Sequence, residues 1–335
     1  MRPRGAMLEL TMAVNKINEA RLRLIKNRQW TLAWGKDYVP AQWATPREAP
    51  SSSTATILCP KKVGGRPFHL MSQNETWVAL LTLYHPCVWD VHEQRVLFPQ
   101  PIPHFLQGHT RAHGLKFRPF RGTVHVAERM GMLSKHPQCK VRLPDGEVGS
   151  AWFPYLSDLL VFLQDDEGPY AINLTVKDKE DHFRERIQCK GKPNRKGAVD
   201  FGVMNRHALE AEYYADAGIP TRQVVGKSID EELRNNLYSL FQFHAEETSI
   251  PEDTCQILWD FFAYHVGKPI KACDLVKQLA LKLNLNIDEV KTVLMQGIWQ
   301  RKIMVDLFRP VLTDRPLRRM SEDPIAVYHD WFKRD

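Results

Sequence analysis

Three residues far apart in the chain have side chains that could work together chemically: Glu75, Asp158 and Lys177. Carboxylates are the hard oxygen ligands that Mg²⁺ prefers. A lysine just beyond bound cations can orient or help deprotonate a water, or stabilise negative charge that grows in a transition state. Two acids and a lysine gathered at one point would therefore suit phosphodiester hydrolysis, in which divalent cations hold the attacking water and neutralise the charge developing on phosphorus. Taken singly, each residue also has an ordinary reading, because acids in first helical turns and lysines at strand ends are common on solvated faces.

The elements that must position these side chains are legible nearby. SDLLVFLQDDEGPYAINLTVK reads as an apolar strand from Leu156 to Leu163, a charged turn from Asp165 to Gly168, and a second strand from Tyr170 to Lys177. Such a hairpin places Asp158 and Lys177 near one edge of a sheet. NETWVALLTLY, from Asn74 to Tyr84, reads as a helix with Glu75 in its first turn and Val78, Leu81 and Leu83 toward a core. A helix packed on the sheet would bring Glu75 to Asp158.

Longer motifs run in order through most of the chain. They are GKDYVP (Gly35 to Pro40), HLMSQNETWVALL (His69 to Leu81), DVHEQ (Asp90 to Gln94) with Pro99, SKHP (Ser134 to Pro137), SDLLVF (Ser157 to Phe162), TVK (Thr175 to Lys177) and LEAEYYADAGIP (Leu209 to Pro220). In this order the chain resembles the TnsA family, the endonuclease subunits of heteromeric transposition systems that also use a TnsB transposase and a TnsC ATPase. The resemblance implies a restriction-endonuclease-like α/β domain, with a mixed sheet flanked by helices, followed by a mainly α winged-helix domain. It implies an active site at Glu75, Asp158 and Lys177, with Mg²⁺, as one or two ions, held by Glu75, Asp158 and position 175. The implied task is cleavage of the 5′ strands at the transposon ends. The family usually carries Glu or Gln two residues before the lysine, where this chain has Thr175. That departure keeps open a catalytically inactive adaptor bridging transposase and ATPase. A free-standing restriction or repair nuclease is a third reading. Relative to compact family members, Pro103 to Gly122 and Lys179 to Gly202 look inserted.

Composition agrees with a nucleic-acid partner. The 335 residues can hold two domains, and 46 Lys and Arg against 39 Asp and Glu give a formal charge of +7, which favours a polyanion. No apolar run is long enough to span a bilayer, and MRPRGAMLEL lacks the apolar core of a secretory signal, so the expected location is intracellular, the bacterial cytoplasm. The six cysteines show no CxxC pair and no zinc spacing, which reads as reduced structural thiols.

Several basic stretches are candidates for the phosphate backbone. CKGKPNRKG carries Lys190, Lys192, Arg195 and Lys196, and LKFRPFRG carries Arg118 and Arg121 among aromatics. NKINEARLRLIKNR, from Asn15 to Arg28, reads as an amphipathic helix with Ile17, Leu22 and Leu24 on one side, either a basic arm or a docked surface helix.

The first domain is expected over 1–226, ending after the strand TRQVV, and the second over 227–335. Ser228 with Glu231 reads as a capping box opening the second domain. Three helices and a short hairpin, MVDLF to RPLRRM, follow in winged-helix order. The third helix, Ile287 to Gln300, begins with Asp288 and Glu289, a poor match to a DNA groove, so this domain is expected to bind protein, by resemblance the TnsC-like AAA+ ATPase. The tail, with Ile325, Val327, Trp331 and Phe332, reads as a docking strip or as packing back on its own domain.

Overall fold

The structure is a computed structural model that describes residues 17–50, 54–184 and 200–334. The chain divides into two compact units. One takes the residues through Thr76, Cys87–Gly226 and the C-terminal end from Arg334, and the other takes Trp77–Pro86 and Lys227–Lys333.

The first unit opens with helix α1 (Glu19–Gln29), whose N-cap Asn18 accepts from Arg21 N at 2.9 Å. Its buried face is Leu22, Ile25 and Gln29, whereas Ile17, expected on that face, is 53% exposed. The helix begins only at Glu19, so Ile17 lies before its first turn, and spacings of three and four residues set the buried stripe. Leu22 and Ile25 belong to the core, which makes α1 a docked helix. Gln29 is held by donating to Tyr38 Oη (2.8 Å) and the Gln94 carbonyl (3.1 Å) and by accepting from Val96 N (2.9 Å).

Strands β1 (Thr56–Leu58) and β2 (Phe68–Leu70) form a small antiparallel pair. Helix α2 (Gln73–Tyr84) has its first turn in the first unit and its remainder in the second. Then follow β3 (Val88–Leu97), α3 (Thr123–Arg129), the hairpin β4 (Gln138–Arg142) and β5 (Val148–Trp152), β6 (Tyr155–Asp165), β7 (Gly168–Lys177), α4 (Phe201–Asp216) and β8 (Thr221–Val225). The main sheet has the order β3-β6-β7-β8, with β6 antiparallel to β3 and β7, and β8 parallel to β7. It is a mixed sheet flanked by helices. Leu159 to Leu163 of β6 are buried without interruption, as expected for a central strand covered on both faces. Leu160 and Phe162 share their core with Leu22 and Ile25 of α1, Val126 and Ala127 of α3, and Leu209, Tyr213 and Tyr214 of α4.

A buried ion pair ties β3 to the β2 region. Arg66 donates to Glu93 through Nη1 (2.7 Å) and Nη2 (2.8 Å), and Glu93 also accepts from His69 N at 3.0 Å. Their side chains are 4% and 0% exposed. Removing one partner of such a pair strands a charge in the interior, so Arg66→Met should lower unfolding stability by about 3–5 kcal/mol in denaturant melts.

The second unit contains α5 (Glu231–Phe243), α6 (Glu252–His265), α7 (Ala272–Leu283) and α8 (Ile287–Trp299). The cap of α5 is Asp230, which accepts from Leu233 N at 3.1 Å, and not Ser228. Ser228 is taken up in a 3-10 turn, Gly226–Ser228, and Ile229 is buried between the two, so the acid adjoining the helix supplies the cap. Leu233, Leu237, Leu258, Phe262, Leu275, Val293 and Ile298 are buried in this unit, and Trp259 Nε1 donates to the Val293 carbonyl at 2.9 Å. Beyond α8, MVDLF and RPLRRM meet through the isolated bridge Val305↔Arg319. The tail folds back within the unit: Arg301 pairs with Asp323 at 2.7 Å, and Phe332 is buried. Among the described residues no helix is long and apolar enough to cross a membrane.

Candidate active site

Asp158 lies just inside the start of β6, before the run of buried apolar residues begins, and Lys177 ends β7. Leu159 pairs with Leu174 across the β6–β7 ladder, which carries Asp158 toward the end of β7. Val176 N donates to Asp158 Oδ2 at 2.8 Å, and Lys177 Nζ stands 3.7 Å from the same oxygen. The lysine also donates to the Val176 carbonyl at 3.0 Å. Both side chains remain about one-fifth exposed, 20% and 19%, so solvent reaches them.

Glu75 is fixed by the start of α2. Ser72 Oγ accepts from Glu75 N (3.2 Å) and donates to Glu75 Oε1 (3.0 Å), while Met71 N donates to Oε2 (2.9 Å). This is a close variant of the capping box, Ser-x-x-Glu, in which an N3 carboxylate folds back on the residues before the helix. Gln94 adds a donor from β3, its Nε2 lying 3.2 Å from Oε2. Gln94 takes φ 48°, an uncommon left-handed conformation for a residue with a side chain, in the middle of that strand. The neighbouring Glu93 and Gln94 therefore do different work: Glu93 braces the interior through Arg66, and Gln94 faces Glu75. Burial pushes the Glu75 carboxyl up to about 8, and the charge of Asp158 pushes the same way, while Lys177 opposes it. Residues far apart in sequence thus come within electrostatic reach of one another.

Thr175 is 3% exposed, and its hydroxyl donates to Glu210 Oε1 on α4 at 3.1 Å. Asn173 Nδ2 donates to the same oxygen at 2.9 Å. Glu210 is buried, and its carboxyl is raised first by burial and then by the charge of Asp158. A carboxylate therefore stands behind the position that carries Thr175, supplied by a helix instead of by the strand. Sequence reasoning misses Glu210. The signal that could find it is an acid inside the apolar stripe of Leu209, Tyr213 and Tyr214, where an unpaired charge is costly. One turn earlier on α4, His207 is held neutral, its pKa lowered to about 4 by burial and by the charges of Lys177 and Arg206.

Of the basic residues singled out from sequence, Lys190, Lys192, Arg195 and Lys196 lie outside the described residues. Arg118 is exposed, and Arg121 lines a proline-rich pocket with Pro99, Pro101, Ile102 and Phe120 that shares no residue with the cavity at Asp158.

The donor chemistry fits a hard divalent cation. Glu75, Asp158 and Glu210 bring acidic oxygen donors within electrostatic reach of Lys177, and the two buried glutamates are raised first by burial and then by the charge of Asp158. Among the described residues no three His, Cys, Asp or Glu side chains group tightly enough to hold a metal alone. No protein-family model and no curated protein matches this chain.

Proposed function

We propose that this chain is a Mg²⁺-dependent DNA endonuclease of a heteromeric transposition system, cutting the 5′ strands at transposon ends while a TnsB-like transposase cuts the 3′ strands. Its first unit is read as a restriction-endonuclease-like domain. Its second is read as a winged-helix domain that docks a TnsC-like ATPase, with the acidic first turn of α8 facing protein and not DNA. The observation that carries the reading is the pairing of Asp158 with Lys177 at 3.7 Å, at a strand start and a strand end, with the capped Glu75 within electrostatic reach of both.

Glu75 and Asp158 would hold one or two Mg²⁺ ions, which when bound supply Lewis-acid activation of water and neutralise phosphate charge. The Val176 amide keeps Asp158 turned to the site, and Ser72, Met71 N and Gln94 hold Glu75 in place, so neither carboxylate has to be ordered as the reaction proceeds. Lys177, beside Asp158, would position the attacking water and stabilise the extra negative charge of the transition state.

Thr175 is read as a link to Glu210, not as a ligand in its own right. In this reading Glu210, which accepts from Thr175, would stand in for the acid absent from position 175, which supports the nuclease over an inactive adaptor. Glu210→Gln should slow strand cleavage about 10–100-fold in Mg²⁺ and leave the fold intact, with partial recovery in Mn²⁺. Single-turnover assays of end-labelled DNA with the partner proteins present check this, and EDTA should abolish cleavage by the wild type. Wild-type rates for Glu210→Gln in both metals would remove Glu210 from the site, and cleavage that survives EDTA would contradict the metal-dependent reading.

A further inference from the structure

Beside Asp158 lies a cavity of about 430 Å³ that the chemistry above does not use. Its lining draws cations from separate elements: Arg21 from α1, Lys135 from the 3-10 turn Leu133–Lys135, and Arg206 from α4. Asp158 lines the same cavity, as does Gln94, the residue that donates to Glu75. Phe153 and Tyr155 add aromatic surface.

Arg21 and Arg206 make their hydrogen bonds to neutral groups, with Glu48 in electrostatic reach of Arg21 and Glu210 in reach of Arg206. Arg21 Nη2 donates to the neutral Gln42 Oε1 at 2.9 Å, and its guanidinium stands 6.0 Å from the centre of the Phe153 ring. Arg206 Nη2 donates to the Leu156 carbonyl at 3.2 Å. Both groups are thereby oriented while keeping their charge, and Lys135 is exposed. An anion that enters this cavity meets cations on several sides and reaches Asp158. The cavity is too open and too mixed in lining for a small apolar ligand. A sugar-phosphate chain, with charge at regular intervals and flat bases between, matches cations interleaved with aromatic rings.

We propose that this cavity is the seat of the DNA backbone flanking the scissile phosphate, gripped by Arg21, Lys135 and Arg206. The proposal rests on the nuclease reading for the identity of the scissile phosphate, and the grip itself is testable without any chemistry. It moves the main phosphate contacts away from the exposed Arg118 and from Arg121, which lines a separate pocket.

The test is equilibrium binding of the full chain to a fluorescent duplex of about 30 base pairs in EDTA, over a range of salt, for the wild type, the triple variant R21Q/K135Q/R206Q, R118Q/R121Q and Asp158→Ala. Glutamine keeps length and polarity, and thermal melts check that each variant folds. The expected result is a loss of affinity of about 10–100-fold at about 100 mM salt for the triple variant, with the slope of log K against log[salt] reduced by about 2–3. R118Q/R121Q should change less than about twofold, and each single substitution in the cavity should lower the slope by about 1. An unchanged affinity and slope in a folded triple variant would overturn the proposal, even if Asp158→Ala abolishes cleavage. Conversely, lost binding in the triple variant combined with unimpaired cleavage by Asp158→Ala would keep the backbone seat and reject the catalytic reading.

Discussion

Asp158→Ala should reduce 5′-strand cleavage by at least about 10³-fold, a loss on the order of 4 kcal/mol of transition-state stabilisation. Asp158 does two things at once. Its carboxylate is the partly exposed acid that meets Lys177, and its Oδ2 accepts from Val176 N at 2.8 Å. The alanine variant leaves that amide without its acceptor, at a cost of about 1–3 kcal/mol in stability. Asp158→Asn keeps an acceptor for the amide and removes only the charge. Both variants should therefore be inactive, with the asparagine variant nearer the wild type in melting temperature. Rates come from strand-specific labelled duplexes. Substantial cleavage by Asp158→Asn would mean that charge at this position is not required.

Glu75→Gln should be as inactive as Asp158→Ala and, without metal, more stable than the wild type at alkaline pH. The native carboxyl titrates near 8, well above its ordinary value of 4.5. Between those values the native state retains a proton that the unfolded state has released. Stability arising from Glu75 is therefore full below about pH 4.5 and is lost as pH rises through about 8. Glutamine carries no such penalty, so the advantage of Glu75→Gln should grow with pH to about 1–3 kcal/mol near pH 8.5. A tenfold change in proton affinity is worth about 1.4 kcal/mol, and solvent and neighbouring groups share part of the cost. Melts in EDTA at about pH 5, 7 and 8.5 check this. Adding Mg²⁺ should recover stability in the wild type and not in the variant, because only the wild type has the carboxylate for the cation to neutralise. Parallel curves for the two proteins over this pH range would contradict a Glu75 carboxyl raised by burial and by the charge of Asp158.

The strands that carry Asp158 and Lys177 can be read from local pattern. An uninterrupted apolar run, a charged turn and a second run give β6 and β7, and the structure lengthens both toward the turn, to Asp165 and from Gly168. The helix bearing Glu75 is also legible, although the structure starts it at Gln73 and supplies in Ser72 a capping partner that the sequence reading does not name. Other features are not legible, for physical reasons. The Arg66–Glu93 pair joins β3 to the β2 region through the interior, and no local period encodes which buried acid meets which arginine. Glu210 reaches Thr175 only because α4 packs near β7; its place within the apolar stripe marks it as buried, but not which partner it meets. Ser228 is a plausible cap that loses to Asp230, since two closely spaced candidates cannot be ranked before the preceding turn is known. The buried face of α1 differs from the expected one for a similar reason, because its stripe depends on the residue at which the helix begins.

Whether this chain cuts the 5′ strands through the site at Asp158 is decided by sequencing insertion products from the reconstituted system. A duplex donor is supplied with the partner transposase and ATPase, and the wild type is compared with Asp158→Asn. Simple insertions are expected with the wild type and cointegrates with the variant, because only the 3′ strands would then be cut. Simple insertions from both proteins, or cointegrates from both with transposition still dependent on the chain, would contradict 5′-strand cleavage at Asp158.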